Sequence, residues 1–362
     1  MRRRVLVVRL DSLGDVVLMG PAVRAVANGG AGGATEVWML CGPQGAPAAR
    51  LLPGVHRVLV WDCPWISNPA PSVTAAHLDG LRELIARCRP DEALILTSFH
   101  QSPLPLALLL RLAGVDRITG ASTDYAGSLL DVRLRPGEDL PEDQPEAVRA
   151  LQIAAAAGFT LPPADSGALR LLPAPDTGTL TGPGPYVAVH PGAAVPARAW
   201  PAGHYRETVR LLAGRGIRSV VTGAPSERRL TAGVAGQWGL DLGGRTDLTT
   251  LAGVLAGAAV VISANTGPAH VAAAVGSPVV SLFAPVVPAI RWAPYGVDVE
   301  LLGDQAAPCR GTRATVCPVP GHPCLGSVTP AQVVAATMRL IERSTSGPTP
   351  PAALAAEAGA AE

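Results

Sequence analysis

Three short segments carry the residue types that could do chemistry. The first is Asp11-Ser-Leu-Gly-Asp15, which follows directly on the β-branched run Val5-Leu-Val-Val-Arg-Leu10. A carboxylate at a strand end, here Asp15, can accept a proton from a hydroxyl. The competing structural reading makes Ser12-x-x-Asp15 a capping box that opens the next helix. The second segment is His190-Pro-Gly-Ala193 with Arg198-Ala-Trp-Pro201. A strand ending in His-Pro-Gly exposes a backbone turn that a phosphate can approach closely, and Arg198 supplies a cation. Its structural alternative is a surface arginine beside a buried tryptophan. The third is Ser263-Ala-Asn-Thr-Gly-Pro-Ala-His270. Pro268 suits the first position of a helix, whose free N–H groups and dipole attract an anion. A plain cap by Asn265 or Thr266 is the alternative. Taken singly, each segment is a weak signal.

Composition removes several function classes. The chain contains no lysine; all its basic charge apart from histidine is arginine. A Walker phosphate loop and a Schiff-base enzyme both need lysine, so phosphate must be held by arginine or backbone N–H groups. A net charge of +1 gives no global attraction to nucleic acid or an acidic membrane. No strand is followed by G-x-G-x-x-G, which disfavours a nicotinamide dehydrogenase. No Asp-x-Asp pair waits at a strand end for magnesium or manganese. Cys309, Cys317, His322 and Cys324 are metal-type side chains in one Pro/Gly-rich loop, but they lack the tight C-x-x-C pairs of common zinc sites. No metal and no cofactor is expected. Val5 to Val8 is too short for a secretory h-region, and Leu104 to Leu110 and Leu251 to Ile262 fall short of the roughly 18 to 20 residues of a membrane span. Reduced thiols in the cytoplasm follow as the default.

The elements that must position these segments form two βα series. In the first, strands are expected at Val5–Leu10, Glu36–Leu40, Arg57–Trp61, Ala93–Thr97 and Arg117–Gly120, with helices at Val16–Ala27, Thr74–Cys88 and Pro103–Leu112. A stretch crowded with proline and glycine, Leu161 to Gly184, reads as an interdomain linker. The second series has strands at Tyr186–His190, Arg218–Thr222, Ala259–Ser263 and Pro278–Phe283. Its helices are at His204–Arg215, Ser226–Gln237, Leu248–Gly257, Pro268–Val275 and Ala331–Glu342. The Ala/Pro/Gly/Ser-rich tail, 344–362, reads as disordered. Two doubly wound α/β sheets place ligands at the carboxyl ends of their strands, hence in the cleft between domains.

Together, in order and spacing, the three segments and two more resemble glycosyltransferase family nine, the ADP-heptose:lipopolysaccharide heptosyltransferases. The additional matches are Pro21-Ala-Val-Arg-Ala and Thr222-Gly-Ala-Pro-Ser-Glu227, and the resemblance runs from about Met1 to Arg343. It implies a GT-B fold of two Rossmann-like domains, 1–172 for the acceptor and 173–343 for the nucleotide sugar. It implies metal-independent, inverting transfer of a heptose-like sugar from a nucleotide-diphosphate donor, an ADP-sugar, to a hydroxyl of a cell-envelope glycan or glycolipid. The enzyme would work in the cytoplasm, at the inner face of the membrane, touching it only through the acceptor. Asp15 falls on the base position, with Ser12 and Gly14 beside the acceptor. The donor positions are His190, Gly192, Arg198 (a lysine in most of the family), Glu227 at the ribose, Asn265 (commonly aspartate), Thr266, Gly267 and His270. Rival readings are a sugar-nucleotide epimerase and a nucleotide-sugar binder without catalysis, the latter motivated by Asn265.

Overall fold

The computed structural model describes residues 3–30, 33, 35–67 and 69–345. Strand β1 (Arg4–Arg9) is buried along all but its first residue. Its side chains alternate between two apolar clusters, Val5 and Val7 in one, Leu6 and Val8 in the other. A strand covered on both faces belongs at the centre of a parallel sheet. It is flanked by β2 (Glu36–Cys41), β3 (Val55–Val60), β4 (Glu92–Ile95), β5 (Arg117–Ala121) and β6 (Val132–Leu134). All pair in parallel, in the order β3-β2-β1-β4-β5-β6.

The second sheet repeats the plan with β7 (Tyr186–His190), β8 (Arg218–Val221), β9 (Gly239–Asp241), β10 (Val260–Ala264), β11 (Val279–Leu282) and β12 (Val299–Leu302). Its order is β12-β11-β10-β7-β8-β9, again all parallel. Each sheet winds outward from its first strand and then reverses, between β1 and β4 in one and between β7 and β10 in the other. Loops leave in opposite directions at such a point and open a crevice at the strands' carboxyl ends. The doubly wound α/β reading therefore holds for both halves.

The two halves are packed together. One apolar cluster contains Val16, Leu18 and Met39 from the first half and Val254, Val271 and Ala272 from the second. The proline-rich stretch between them is pinned to both, with Leu172 N–H donating to Leu51 O and Leu171 N–H to Ala274 O. Among the described residues no helix is long and apolar enough to cross a membrane.

The structure corrects several element expectations. The single helix expected over Val16–Ala27 is two, Leu13–Leu18 and Gly20–Asn28, joined at Met19. Pro21 lacks the N–H that a continuous helix would donate to Val17. Ser226–Gln237 divides into a 3-10 turn, Pro225–Glu227, and a helix, Arg228–Ala235. Strands β6, β9 and β12 and the helix Glu146–Ala156 had no counterpart in the expected elements. The three strands are edges of three or four residues, too short for a period to register. The tail expectation lies outside the described residues from 346 onward, while Ser344 and Thr345 finish the helix Pro330–Thr345.

Candidate functional site

The loops after β1, β4, β7 and β10 meet at one cavity of about 280 Å³ between the sheets. From the first half it is lined by Asp11, Ser12, Gly14, Asp15, Ser98 and His100; from the second by Arg198, Asn265, Thr266, Gly267, His270 and Trp292, with Arg313 and Thr315 from the cysteine-bearing loop. Eight of the eleven residues singled out from sequence thus converge. The other three, His190, Gly192 and Glu227, stand together beside the cavity and are not among its lining. A β-carbon at Gly192 would meet the Glu227 carboxylate and displace it.

Asp15 sits in the first turn of Leu13–Leu18. Ser12 does not cap that helix with its side chain; its hydroxyl donates to Asp15 Oδ2 at 2.7 Å. Asp15 Oδ1 accepts from Arg9 Nη2 at 3.0 Å and from the Trp292 indole N–H at 3.2 Å. Burial by itself would raise the Asp15 pKa, but Arg9 and these hydrogen bonds outweigh it and hold the carboxyl below its ordinary value. Asp11 pairs with Arg9 Nε at 2.8 Å and accepts from Gln101. There burial and the neighbouring Asp15 win, and its pKa is raised. Of the two carboxylates, Asp15 is the one more firmly held in its ionised form.

Across the cavity, Arg198 ends the turn Pro196–Arg198 after β7. Arg313 holds a left-handed backbone, φ 57°, with its N–H donating to Val286 O. Such a conformation costs an arginine of order 1 kcal/mol or more, and it aims the side chain into the cavity. Among the described residues neither guanidinium has a hydrogen-bond or ion-pair partner, and Arg198 Nε is buried. Burial first, and then repulsion by Arg313, lower the Arg198 pKa. Two guanidinia without a hydrogen-bond or ion-pair partner among the described residues, Arg198 half-buried and Arg313 exposed, with Asp15 and Asp11 the carboxylates acting on them from a distance, leave one cavity wall open to an anion. Beside them begins the helix Gly267–Ala274, with Thr266 at its N-cap and no side-chain cap. The buried amide nitrogen of Asn265 is likewise without a partner among the described residues.

Gly14 and Gly267 let the halves touch. A β-carbon on Gly14 would lie 2.8 Å from the His270 ring and 3.3 Å from Gly267 Cα; one on Gly267 would lie 2.9 Å from Leu13. Burial lowers the pKa of His270 to about 4 and that of His190 to about 4 despite Glu227. Both are neutral when folded but take up a proton near 6.5 once unfolded. Their contribution to stability is thus complete above pH 6.5 and is lost as pH falls from 6.5 towards 4. By pH 5 the two should together cost on the order of 4 kcal/mol. Thermal unfolding at pH 7 and pH 5 checks this: the midpoint should drop steeply in the parent and less in His270→Gln.

The sequence did not single out Arg9, Ser98, His100, Trp292 or Arg313. Only Asp11, in the same loop as Asp15, carried a signal. Cys309, Cys317 and Cys324 are free thiols, the first and last buried, and His322 Nε2 lies 3.1 Å from the Ala197 carbonyl. Among the described residues no three His, Cys, Asp or Glu side chains are grouped as a metal ion would require.

Comparison with known proteins bears on this geometry. Residues 100–321 match glycosyltransferase family 9 (heptosyltransferase). Lipopolysaccharide heptosyltransferase 1 of Pseudomonas aeruginosa is 30% identical over 338 residues, 87% of this chain and 88% of that protein. Among solved structures, a glycosyltransferase family 9 protein of Veillonella parvula superposes with a TM-score of 0.74 at 17% identity, covering 94% of this chain and 97% of that one. The E. coli heptosyltransferase WaaC with ADP-2-deoxy-2-fluoro heptose gives a TM-score of 0.68 at 23% identity, covering 94% and 99%. These likenesses give the fold, a two-lobed GT-B-like α/β architecture.

Proposed function

The chain belongs to glycosyltransferase family 9, the heptosyltransferases, and from that premise we propose an inverting, metal-independent transfer of heptose from ADP-heptose to a hydroxyl of a cell-envelope glycolipid. Residues 1–172 take the acceptor and 173–343 the donor. The observation that carries this reading is the opposition, across one cavity, of an ionised carboxylate and two arginines without partners.

The acceptor hydroxyl gives its proton to Asp15 while its oxygen attacks the anomeric carbon. The bond to the diphosphate breaks on the opposite face, through an oxocarbenium-like transition state. Charge grows on the leaving ADP. Arg198, Arg313 and the N–H groups at Thr266 and Gly267 receive it in a site already oriented for an anion, which is where electrostatic stabilisation is most effective. Asn265 donates to the donor through its free amide, His190 and Glu227 bind towards the ribose, and Ser12 and Gly14 border the acceptor. The relatives' lipopolysaccharide substrates support a glycolipid acceptor, met at the cytoplasmic face of the membrane. ADP-heptose incubated with a lipopolysaccharide-core acceptor in excess chelator should release ADP and give product of inverted anomeric configuration. Circular dichroism should show the fold intact. Activity lost with the fold intact, and restored by magnesium or manganese, would overturn the metal-free mechanism. Binding of ADP-heptose with no transfer to any hydroxyl would favour a non-catalytic binder.

A further inference from the structure

The cavity's base is held partly from the opposite lobe. The short helix Ala289–Trp292 follows β11 in the donor lobe, yet its last two side chains point into the acceptor lobe. Arg291 is buried there: Nη2 donates to Glu142 at 2.6 Å, Nη1 to Glu146 at 3.4 Å, and the guanidinium lies 4.1 Å from the Phe99 ring centroid. Trp292 packs against the same ring, at 5.8 Å between centroids, and donates its indole N–H to Asp15. Glu146, 1% exposed, also reaches Arg9 Nη1 at 3.5 Å, and Arg9 is the cation that holds Asp15.

Two routes therefore run from the donor lobe to the same carboxylate oxygen. The direct route is the Trp292 hydrogen bond. The indirect one is Arg291, which neutralises Glu146 and leaves Arg9 available to Asp15. Glu146 answers to three cations, Arg9, Arg149 and Arg291, and deprived of the last it leans harder on the other two, since an unpaired charge in the interior is very costly. Separation of the lobes would withdraw Arg291 and Trp292 together, because they are adjacent on one rigid turn.

We propose that Arg291 and Trp292 are positioning residues that hold the base Asp15 in its working orientation only while the two lobes are closed, so that the proton acceptor is assembled by closure. This rests on the reading of Asp15 as the base. Its use is to keep the acceptor hydroxyl from being activated before the donor is enclosed, since closure that completes a site makes chemistry conditional on binding. The other ionisable groups facing Asp15 are Arg9, Asp11, Glu146 and His100 from its own lobe, and Arg198 and His270 from the donor lobe.

The test needs no substrate in its first arm. In [15N]tryptophan-labelled protein, the Trp292 indole peak is assigned by its loss in Trp292→Phe. It should move upfield in Asp15→Asn and in Arg291→Met, and return in Arg291→Lys, which keeps the charge. The second arm follows ADP release from ADP-heptose with the lipopolysaccharide-core acceptor. Trp292→Phe keeps an aromatic ring beside Phe99 and removes the N–H donor. Its kcat should fall about ten-fold and the acid limb of its pH profile should move up by about one pH unit, as loss of a hydrogen bond to a charged group predicts. An indole peak indifferent to both Asp15→Asn and Arg291→Met would overturn the clasp. So would an acid limb unmoved in Trp292→Phe, whatever the loss of rate. Parental turnover in Asp15→Asn would instead sink the base assignment, while the indole peak would still report whether the contact exists.

Discussion

Replacing Arg198 by alanine should weaken ADP binding by about 1.5 to 3 kcal/mol, or roughly ten- to more than a hundred-fold, because one charge-assisted hydrogen bond to the diphosphate is lost. The same change at Arg313 should cost a comparable amount. The physical basis is that both guanidinia are unpaired among the described residues and mutually repulsive. Each raises the cost of keeping the other in an empty cavity, and an anion relieves both at once. Their effects should therefore be non-additive, the double variant losing less than the sum of the two singles, because either single change already removes the repulsion. The lysine that the family usually carries at the first position should substitute incompletely, since a point charge cannot reproduce a planar fork. Isothermal calorimetry with ADP, in chelator, measures all of this. Equal affinity in parent and Arg198→Ala would remove that residue from the donor site. Equal affinity in Arg313→Ala would leave its left-handed backbone without a functional reason.

How much of this was readable beforehand depended on the kind of information involved. The central strands were legible because burial on both faces demands continuous apolar runs such as Val5–Val8 and Tyr186–Val189. The edges β6, β9 and β12 carry no such demand. The helix Glu146–Ala156 has a weak face signal, because alanine is apolar yet contrasts little with its neighbours. In the site, Asp15, Arg198 and Asn265–Gly267 could be named because each lies in the connection that follows a strand the pattern marks. Arg313 and Trp292 could not. They come from irregular loops far along the chain, and only the tertiary fold brings them to the cavity. The Ser12-x-x-Asp15 spacing suggested a cap, whereas the serine hydroxyl turns to the aspartate itself. Gly14, expected beside the acceptor, and Gly267, expected at the donor, also prove to be points where the two lobes touch.

Asp15 is the residue on which the proposed transfer depends. Its carboxylate is ionised, faces the cavity, and is held by Arg9, Ser12 and Trp292. Asparagine would keep the shape and the ability to accept a hydrogen bond while removing the basicity. General-base catalysis is worth about 10²- to 10⁴-fold, and an isosteric amide beside Arg9 cannot take the proton. The most direct measurement sets kcat of Asp15→Asn with ADP-heptose and acceptor beside its calorimetric affinity for ADP. The expected result is a loss of kcat of about a thousand-fold, within that general-base range, with ADP affinity within a few-fold of the parent. Parental turnover in a folded, ADP-binding Asp15→Asn would remove Asp15 as the proton acceptor.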